Sequence, residues 1–254
     1  MKTFSKISLI FIVLFSLSCN SGKVDENEVL NKIMNLCGEK ETVQKIKDQK
    51  QVWSIHDSKG NNLKCFYFYK RPNKFKMQII TMDGNPLLLT IYDGNKGINK
   101  IFGETHIMTQ TELNEYRITI LTWLDKFSVY QKKDFNFIKN IKDDDKEYLV
   151  FDVTDEFKQK HRIYVNSETK TIDIIEESHI DIISKQPSAR KIVTKSYTKI
   201  ENVTYPQEVV VQDVNESNQV ANNARFLKLE SVFNNINIED SEFDIDAIIK
   251  EDTK

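Results

Sequence analysis

Glycine and proline are scarce in this chain of 254 residues, which contains 7 glycines and 4 prolines, most of them in predicted turns. This scarcity argues against a repeat architecture and against disorder. The chain has no basic block and no RNA-binding signature, and its formal net charge is −2. Because lysines alternate with acidic residues, nucleic acid is not an expected partner. A chain of this length can bury one sizeable core.

The sequence also lacks the common signals of catalysis. No Gly-x-Ser-x-Gly motif, P-loop or dinucleotide fingerprint occurs, and the 4 histidines are scattered without a histidine or cysteine at metal-binding spacing. Residues 176–181 combine acidic residues with one histidine, but alternation along a strand favours a solvated face. The acidic run 143–145 lacks the spacing and the glycine of a calcium loop. We therefore predict no catalytic residues, no metal, no cofactor and no enzymatic activity.

The N-terminus has the pattern of a secretion signal. Lys2 and Lys6 precede an apolar run over residues 7–17, which is too short to cross the ~30 Å hydrocarbon core of a bilayer. Ser18 and Cys19 follow, and a small residue before a cysteine resembles the lipobox of bacterial lipoproteins. In that motif the cysteine is acylated and becomes the mature N-terminus. We predict a lipid anchor on Cys19; the alternative is an exported protein that is cleaved near Ser18 and carries no anchor.

Strand-like runs separated by polar turns fill most of the remaining chain. Residues 87–92 and Gly97–Ile101 flank the turn Asp93-Gly94-Asn95, whose residues tolerate the positive φ of a tight hairpin. The same pattern recurs over residues 51–82 and 148–233. It predicts an antiparallel sheet that grows hairpin by hairpin and is covered by a few helices.

Three helices are predicted from caps and apolar spacing. The first has Asp25 as its N-cap and ends at Gly38, and a shorter one covers residues 41–47. The longest, over residues 110–127, begins with a capping box formed by Thr109 and Glu112. The acidic tail from residue 240 is expected to be frayed.

The order of these elements resembles the LolA/LolB-like superfamily, which includes outer-membrane lipoprotein-sorting proteins and LppX/LprG-type lipid-binding lipoproteins. The resemblance rests on the capped first helix, the run Lys70-Arg71-Pro72-Asn73-Lys74-Phe75, the hairpin Tyr92-Asp93-Gly94-Asn95-Lys96, the amphipathic helix, Ile163-Tyr164-Val165-Asn166 with Thr169, Tyr205-Pro206 and Phe243. It implies an α+β fold: an unclosed, curved antiparallel β half-barrel with helices plugging the concave side. An apolar cavity that takes acyl chains would lie between sheet and helices. We expect a signal peptide over residues 1–18, a tether over 19–24 and a single LolA/LolB-like domain over 25–254.

Alternation along the strands and helical spacing select the side chains expected to line this cavity. They are Phe66, Phe68, Phe75, Met77, Ile79, Leu87, Leu89, Ile91, Tyr116, Ile120, Trp123 and Leu124. The strand with Phe66 and Phe68 is apolar on both faces, so these two could instead belong to the core or face the other way.

Cys37 and Cys65 are the two thiols that remain if Cys19 is acylated. In an oxidising compartment such pairs tend to close, and a bridge closing a loop of about 28 residues would add ~3 kcal/mol of stability. The alternative is two buried thiols, and the sequence does not decide between them.

Two functions fit the sequence. The first is a lipid-anchored carrier or receptor that binds acyl chains of lipids or lipoproteins by burial, which contributes ~0.8 kcal/mol per methylene. The second is a surface-exposed interaction lipoprotein with a filled core and no lipid ligand. Either would be a monomer held in the bacterial cell envelope by its N-terminal lipid, at the outer membrane facing the periplasm or the surface.

Overall fold

The computed structural model describes residues 25–114, 117, 130–155, 158, 160–180, 187–214 and 223–252. Within these residues, thirteen strands form one antiparallel sheet. They are β1 (Asp48–Asp57), β2 (Asn62–Lys70), β3 (Lys74–Thr81), β4 (Pro86–Tyr92), β5 (Gly97–Ile101), β6 (Glu104–Ile107), β7 (Phe135–Asp143), β8 (Lys146–Thr154), β9 (Lys160–Asn166), β10 (Ile172–Ile180), β11 (Pro187–Ile200), β12 (Val203–Val214) and β13 (Arg225–Asn234).

The sheet consists of two runs of neighbouring strands that meet where the first strand pairs with the last. The strand order is β6-β5-β4-β3-β2-β1-β13-β12-β11-β10-β9-β8-β7, which leaves β6 and β7 at opposite edges. The sheet is therefore an unclosed half-barrel, as predicted. At the hairpin between β4 and β5, Asp93 accepts hydrogen bonds from the backbone N–H groups of Asn95 and Lys96, both at 2.8 Å. Gly94 has a φ of +105°, so glycine fits this turn as the sequence indicated.

Three α-helices have defined bounds: α1 (Glu26–Met34), α2 (Lys40–Gln44) and α3 (Ile245–Asp252). Short 3-10 helices cover Lys132–Asp134 and Asp240–Phe243. Asp25 is confirmed as the N-cap of α1, because its carboxylate accepts from the N–H of Asn27 at 2.9 Å. The helix ends earlier than predicted, at Met34. The side chain of the capping Asn35 donates to the carbonyl of Asn31 at 2.9 Å.

A further helix begins at residue 110 and is described over residues 110–114 and at 117. Its capping box is confirmed: Glu112 accepts from the backbone N–H of Thr109 at 2.7 Å, and the Thr109 hydroxyl accepts from the N–H of Glu112 at 3.4 Å. Gly97 on β5 leaves space for the residues at the beginning of this helix, because a Cβ at Gly97 would overlap Met108 and approach Leu113.

The register assigns side chains to two faces of the sheet, since directly paired residues point to the same side. We call the face that packs against α1 and the residues around α2 the inner face. Two of the three hydrophobic clusters lie on it. The first joins residues near α2, such as Val43 and Ile46, to strands β1–β4 and β11–β13. The second joins Val29 and Ile33 of α1 to β7–β10.

The third cluster lies on the outer face and contains the C-terminal segment. Phe243, which is 2% exposed, packs there with Ile91 and Ile98. The expectation of a frayed tail is therefore wrong. Its acidic residues instead form ion pairs with lysines of the outer face: Lys74 with Asp240 at 2.9 Å, Lys76 with Glu242 at 2.6 Å and Lys96 with Asp246 at 3.0 Å.

Candidate functional site

The inner face carries an apolar surface whose two halves differ in how completely they are covered. Under α1 the surface is filled: Leu149, Phe151 and Ile163 are each at most 2% exposed. Towards β1–β3 and β11–β13, several apolar side chains of the first cluster are only half-buried. They are Leu63, Tyr67, Met77, Ile79, Ile192, Val211 and Leu227. This half-covered part of the inner face is the candidate site.

Three of the predicted lining residues lie on the inner face with the first cluster, and two of them belong to the half-covered surface. Phe75, Met77 and Ile79 alternate along β3 and lie with the first cluster, Phe75 being buried and the other two half-buried. Their placement on the inner face agrees with the alternation. Contact with a ligand stays a prediction.

Two of the predicted lining residues of β4 lie on the opposite face. The register pairs Phe75 with Tyr92, Met77 with Thr90 and Ile79 with Leu88, so Tyr92, Thr90 and Leu88 point inward. Leu89 and Ile91 alternate with these, point outward and belong to the outer cluster. The expectation that Leu89 and Ile91 share a face with Phe75 is therefore wrong. Leu87 lies at a shift of register, where Ile79 pairs with Leu88 and Ile80 with Pro86, and has no partner on β3.

Phe66 and Phe68 also lie on the outer face. The inward residues of β2 are Cys65, Tyr67 and Tyr69. On the outer side, the ammonium of Lys50 lies 5.5 Å from the ring centroid of Phe66 and 5.3 Å from that of Phe68. Because both faces of β2 are apolar, alternation could not decide the direction.

The remaining predicted site residues lie outside the described part of the chain. They are the helix residues Tyr116, Ile120, Trp123 and Leu124 and the predicted anchor Cys19.

Cys37 and Cys65 are both buried in the first cluster, and the structure carries them as thiols without a bridge. This corresponds to the second of the two alternatives. Burial raises the pKa of the Cys65 thiol to about 12, so it is protonated and unreactive at neutral pH.

A chain of buried polar groups crosses the inner face of β1. The indole N–H of Trp53 donates to Gln51 at 2.9 Å, and the Gln51 amide donates to Gln49 at 2.6 Å. Gln49 donates in turn to the hydroxyl of Tyr205 at 2.8 Å and to Asn234 at 2.7 Å. Paired in this way, these polar groups interrupt the apolar surface without leaving unsatisfied donors along the chain.

A row of charged side chains crosses the inner face beside the half-covered apolar surface. We call it the charged belt; its members are Asp155, His161, Glu177, Arg190, Asp213 and Arg225. The register pairs His161 with Glu177, Glu177 with Arg190 and Arg190 with Asp213, so the belt crosses β9–β12 in one row. The apolar row Ile163, Ile175, Ile192 and Val211 lies two residues further along these strands.

The belt residues are paired with one another. The two ring nitrogens of His161 lie 3.5 Å from Glu177 Oε2 and 3.6 Å from Asp155 Oδ2. Arg190 Nε donates to Glu177 Oε1 at 2.5 Å. At the far end of the belt, Arg225 donates to Asp213 at 2.8 Å.

These contacts shift the pKa values of two belt residues. Burial opposes the ionised form of Glu177, but the charges of Arg190 and His161 outweigh it and lower the pKa to about 2. Burial also disfavours the charged form of His161, while Glu177 and Asp155 together raise its pKa above the ordinary value. Within the described residues no group of three or more histidine, cysteine or acidic side chains is arranged to hold a metal ion.

Comparison with solved structures identifies the fold. A LolA superfamily protein from Nitrosomonas europaea superposes with a TM-score of 0.53 at 13% sequence identity, covering 87% of this chain and 98% of that one. A DUF1329 family protein from Desulfovibrio piger superposes with a TM-score of 0.51 at 10% identity, covering 87% and 96%. The chain has the LolA-like fold. Neither a family model nor a curated protein sequence matches it.

The LolA-like fold confirms the resemblance that the order of motifs predicted. In the described part of the chain, no helix has both the length and the apolarity needed to cross a bilayer.

The charged belt was not predicted from the sequence. Glu177 was assigned to a solvated face, whereas it points inward against His161 and Arg190. The sequence does contain a pattern that indicates it, because His161, Arg190 and Asp213 each stand two residues from an inward apolar residue on a strand. Alternation alone would have put these charges on the inner face.

Proposed function

We propose that this LolA-like protein is a lipid-anchored carrier or receptor of the bacterial cell envelope. It binds acyl chains of lipids or lipoproteins on the inner face by reversible burial and performs no chemistry. The observation that carries the proposal is the half-covered apolar surface around Met77, Ile79 and Leu227. Apolar side chains left partly open on the inner side of a half-barrel fit a ligand that completes their burial.

The energetics of burial support such a ligand. Each acyl methylene removed from water contributes ~0.8 kcal/mol, so a chain of about twelve carbons supplies ~10 kcal/mol before the costs of association. The binding needs no charged partner along the acyl chain. The surface under α1 is already filled by Val29 and Ile33, so we place the acyl chain on the β1–β3 side.

Titration of the folded protein with a fluorescent fatty acid tests this function. Saturable uptake at a stoichiometry near one ligand per chain is expected. If the folded protein takes up none, the carrier function is wrong, and the alternative of an interaction lipoprotein with a filled core takes its place.

The anchor and the envelope location form a separate part of the proposal, supported by the N-terminal sequence. Cys19→Ala should move the protein from the membrane fraction to the soluble periplasmic fraction, whereas Ser21→Ala in the tether should not. Membrane partition that is unchanged in the Cys19→Ala variant, with no acyl mass on the parent's N-terminal peptide, would contradict the anchor.

A further inference from the structure

The charged belt lies where the polar end of an amphiphile bound to the apolar surface would come to rest. Arg190 and Asp213 each stand two residues from Ile192 and Val211 on the same strands, about 7 Å along the strand. An acyl chain on the half-covered surface would therefore bring its headgroup within reach of the belt.

The belt presents its cations more openly than its anions. The side chains of Arg190 and Arg225 are 34% and 44% exposed, whereas those of Glu177 and Asp213 are 16% and 26% exposed. Guanidinium groups have donors in a planar fork that matches phosphate oxygens. A phosphate would meet these two groups first, with carboxylates directly beside them.

The charges of the belt cancel. Three carboxylates, those of Asp155, Glu177 and Asp213, face two guanidinium groups and one imidazole, so the belt is neutral when His161 is protonated. A purely anionic headgroup would add uncompensated negative charge beside these carboxylates, in a partly desolvated place where charge repulsion is strong. A headgroup that carries both signs can share the existing ion pairs and leave no charge unmatched.

We propose that the charged belt recognises the headgroup of a zwitterionic phospholipid, with its phosphate at Arg190 and Arg225 and its ammonium at Glu177 and Asp213. This inference rests on the proposed acyl-binding function and names its ligand class. The belt thereby selects against free fatty acids and anionic phospholipids that carry the same acyl chain.

Competition with ligands of one acyl chain and three headgroups tests the proposal. Lysophosphatidylethanolamine, lysophosphatidylglycerol and the free fatty acid are each titrated against a fluorescent fatty acid bound to the wild-type protein. We expect the zwitterion to bind roughly tenfold more tightly than the other two, the scale of one charge-assisted hydrogen bond with its matched charge. In Arg190→Gln this preference should fall to within about twofold.

Two further variants keep the result interpretable. Arg225→Gln, at the more exposed end of the belt, should reduce the preference even if Arg190→Gln does not fold. Arg162→Gln is the matched control, because Arg162 on β9 also forms an ion pair, with Asp152 on β8 at 2.7 Å, but lies on the outer face. It should keep the full preference.

The outcomes separate the two proposals. Equal binding of all three ligands by the wild-type protein, or tighter binding of either anion, overturns the headgroup assignment and leaves the carrier function standing. A preference retained in both belt variants also overturns the assignment. Failure of every ligand to bind overturns both.

Discussion

Replacing Ile79 by tryptophan tests the assignment of faces and the acyl site together. Ile79 lies half-buried on the inner face, and its register partners Cys65 and Leu88 hold it between β2 and β4. The larger indole should occupy space that the proposal gives to the ligand. Overpacking of this kind costs ~1–3 kcal/mol, which is less than the free energy of unfolding of an ordinary domain, so the variant should fold.

The expected loss of binding follows from the ligand surface that the indole displaces. An indole that excludes about three methylenes of the acyl chain removes ~2.4 kcal/mol of burial, which corresponds to a roughly fiftyfold weaker affinity. A fluorescent fatty acid titration of the folded variant measures this change, and circular dichroism with thermal unfolding confirms the fold.

Leu89→Trp is the matched control. Leu89 is also a half-buried aliphatic residue, on the strand next to Ile79, but it points to the outer face with Ile91. It should change stability by a similar amount and leave uptake unaltered. The reasoning is refuted if folded Ile79→Trp binds like the parent, or if Leu89→Trp loses as much affinity.

Three other predictions follow from the buried groups. Cys37 and Cys65 should both be alkylated quantitatively when the non-reduced protein is denatured, and protection of the pair would instead reveal a bridge. The pKa of His161 is raised in the folded state, so its contribution to stability is fully present below its ordinary value of 6.5 and is lost as the pH rises through the folded pKa. The thermal unfolding temperature of His161→Gln should therefore fall less between pH 6 and 9 than that of the parent. An equal fall in both proteins would contradict this. Phe243→Ala should lower the free energy of unfolding, measured in urea, by ~3–5 kcal/mol. The control Phe226→Ala changes a side chain that is 49% exposed and should alter the same free energy by less than ~0.5 kcal/mol. Equal effects would contradict the docking of the C-terminal segment.

Local signals in the sequence predicted local structure well. The cap of α1 at Asp25, the capping box of Thr109 with Glu112 and the turn at Asp93 each depend on residues within four positions of one another. The alternating strands between such turns were enough to predict an antiparallel sheet, and the order of motifs was enough to predict the LolA-like fold.

Features that depend on partners distant in sequence were not predictable in this way. A shift of register after Ile79 decides which side chains of β4 point inward, because a shift of one residue exchanges the two faces of a strand. The C-terminal segment was expected to fray because it is acidic. Phe243 instead packs against Ile91 and Ile98, and Lys74 and Lys76 on β3 pair with the neighbouring acidic residues.

The charged belt shows the same limitation at the site. His161, Glu177 and Arg190 come from three strands, and their pairing arises only from the register between those strands. Alternation places each of them on the inner face, but it does not show that they lie beside one another. Only together do they form a neutral polar row beside an apolar surface.

Acyl-lipid binding is tested by extracting the natively purified, folded protein with organic solvent and analysing the extract by mass spectrometry. We expect a stoichiometric amount of a non-covalently bound acyl lipid, also in the Cys19→Ala variant, whose own anchor is removed. Folded protein that yields no acyl lipid and takes none up on reloading would contradict it.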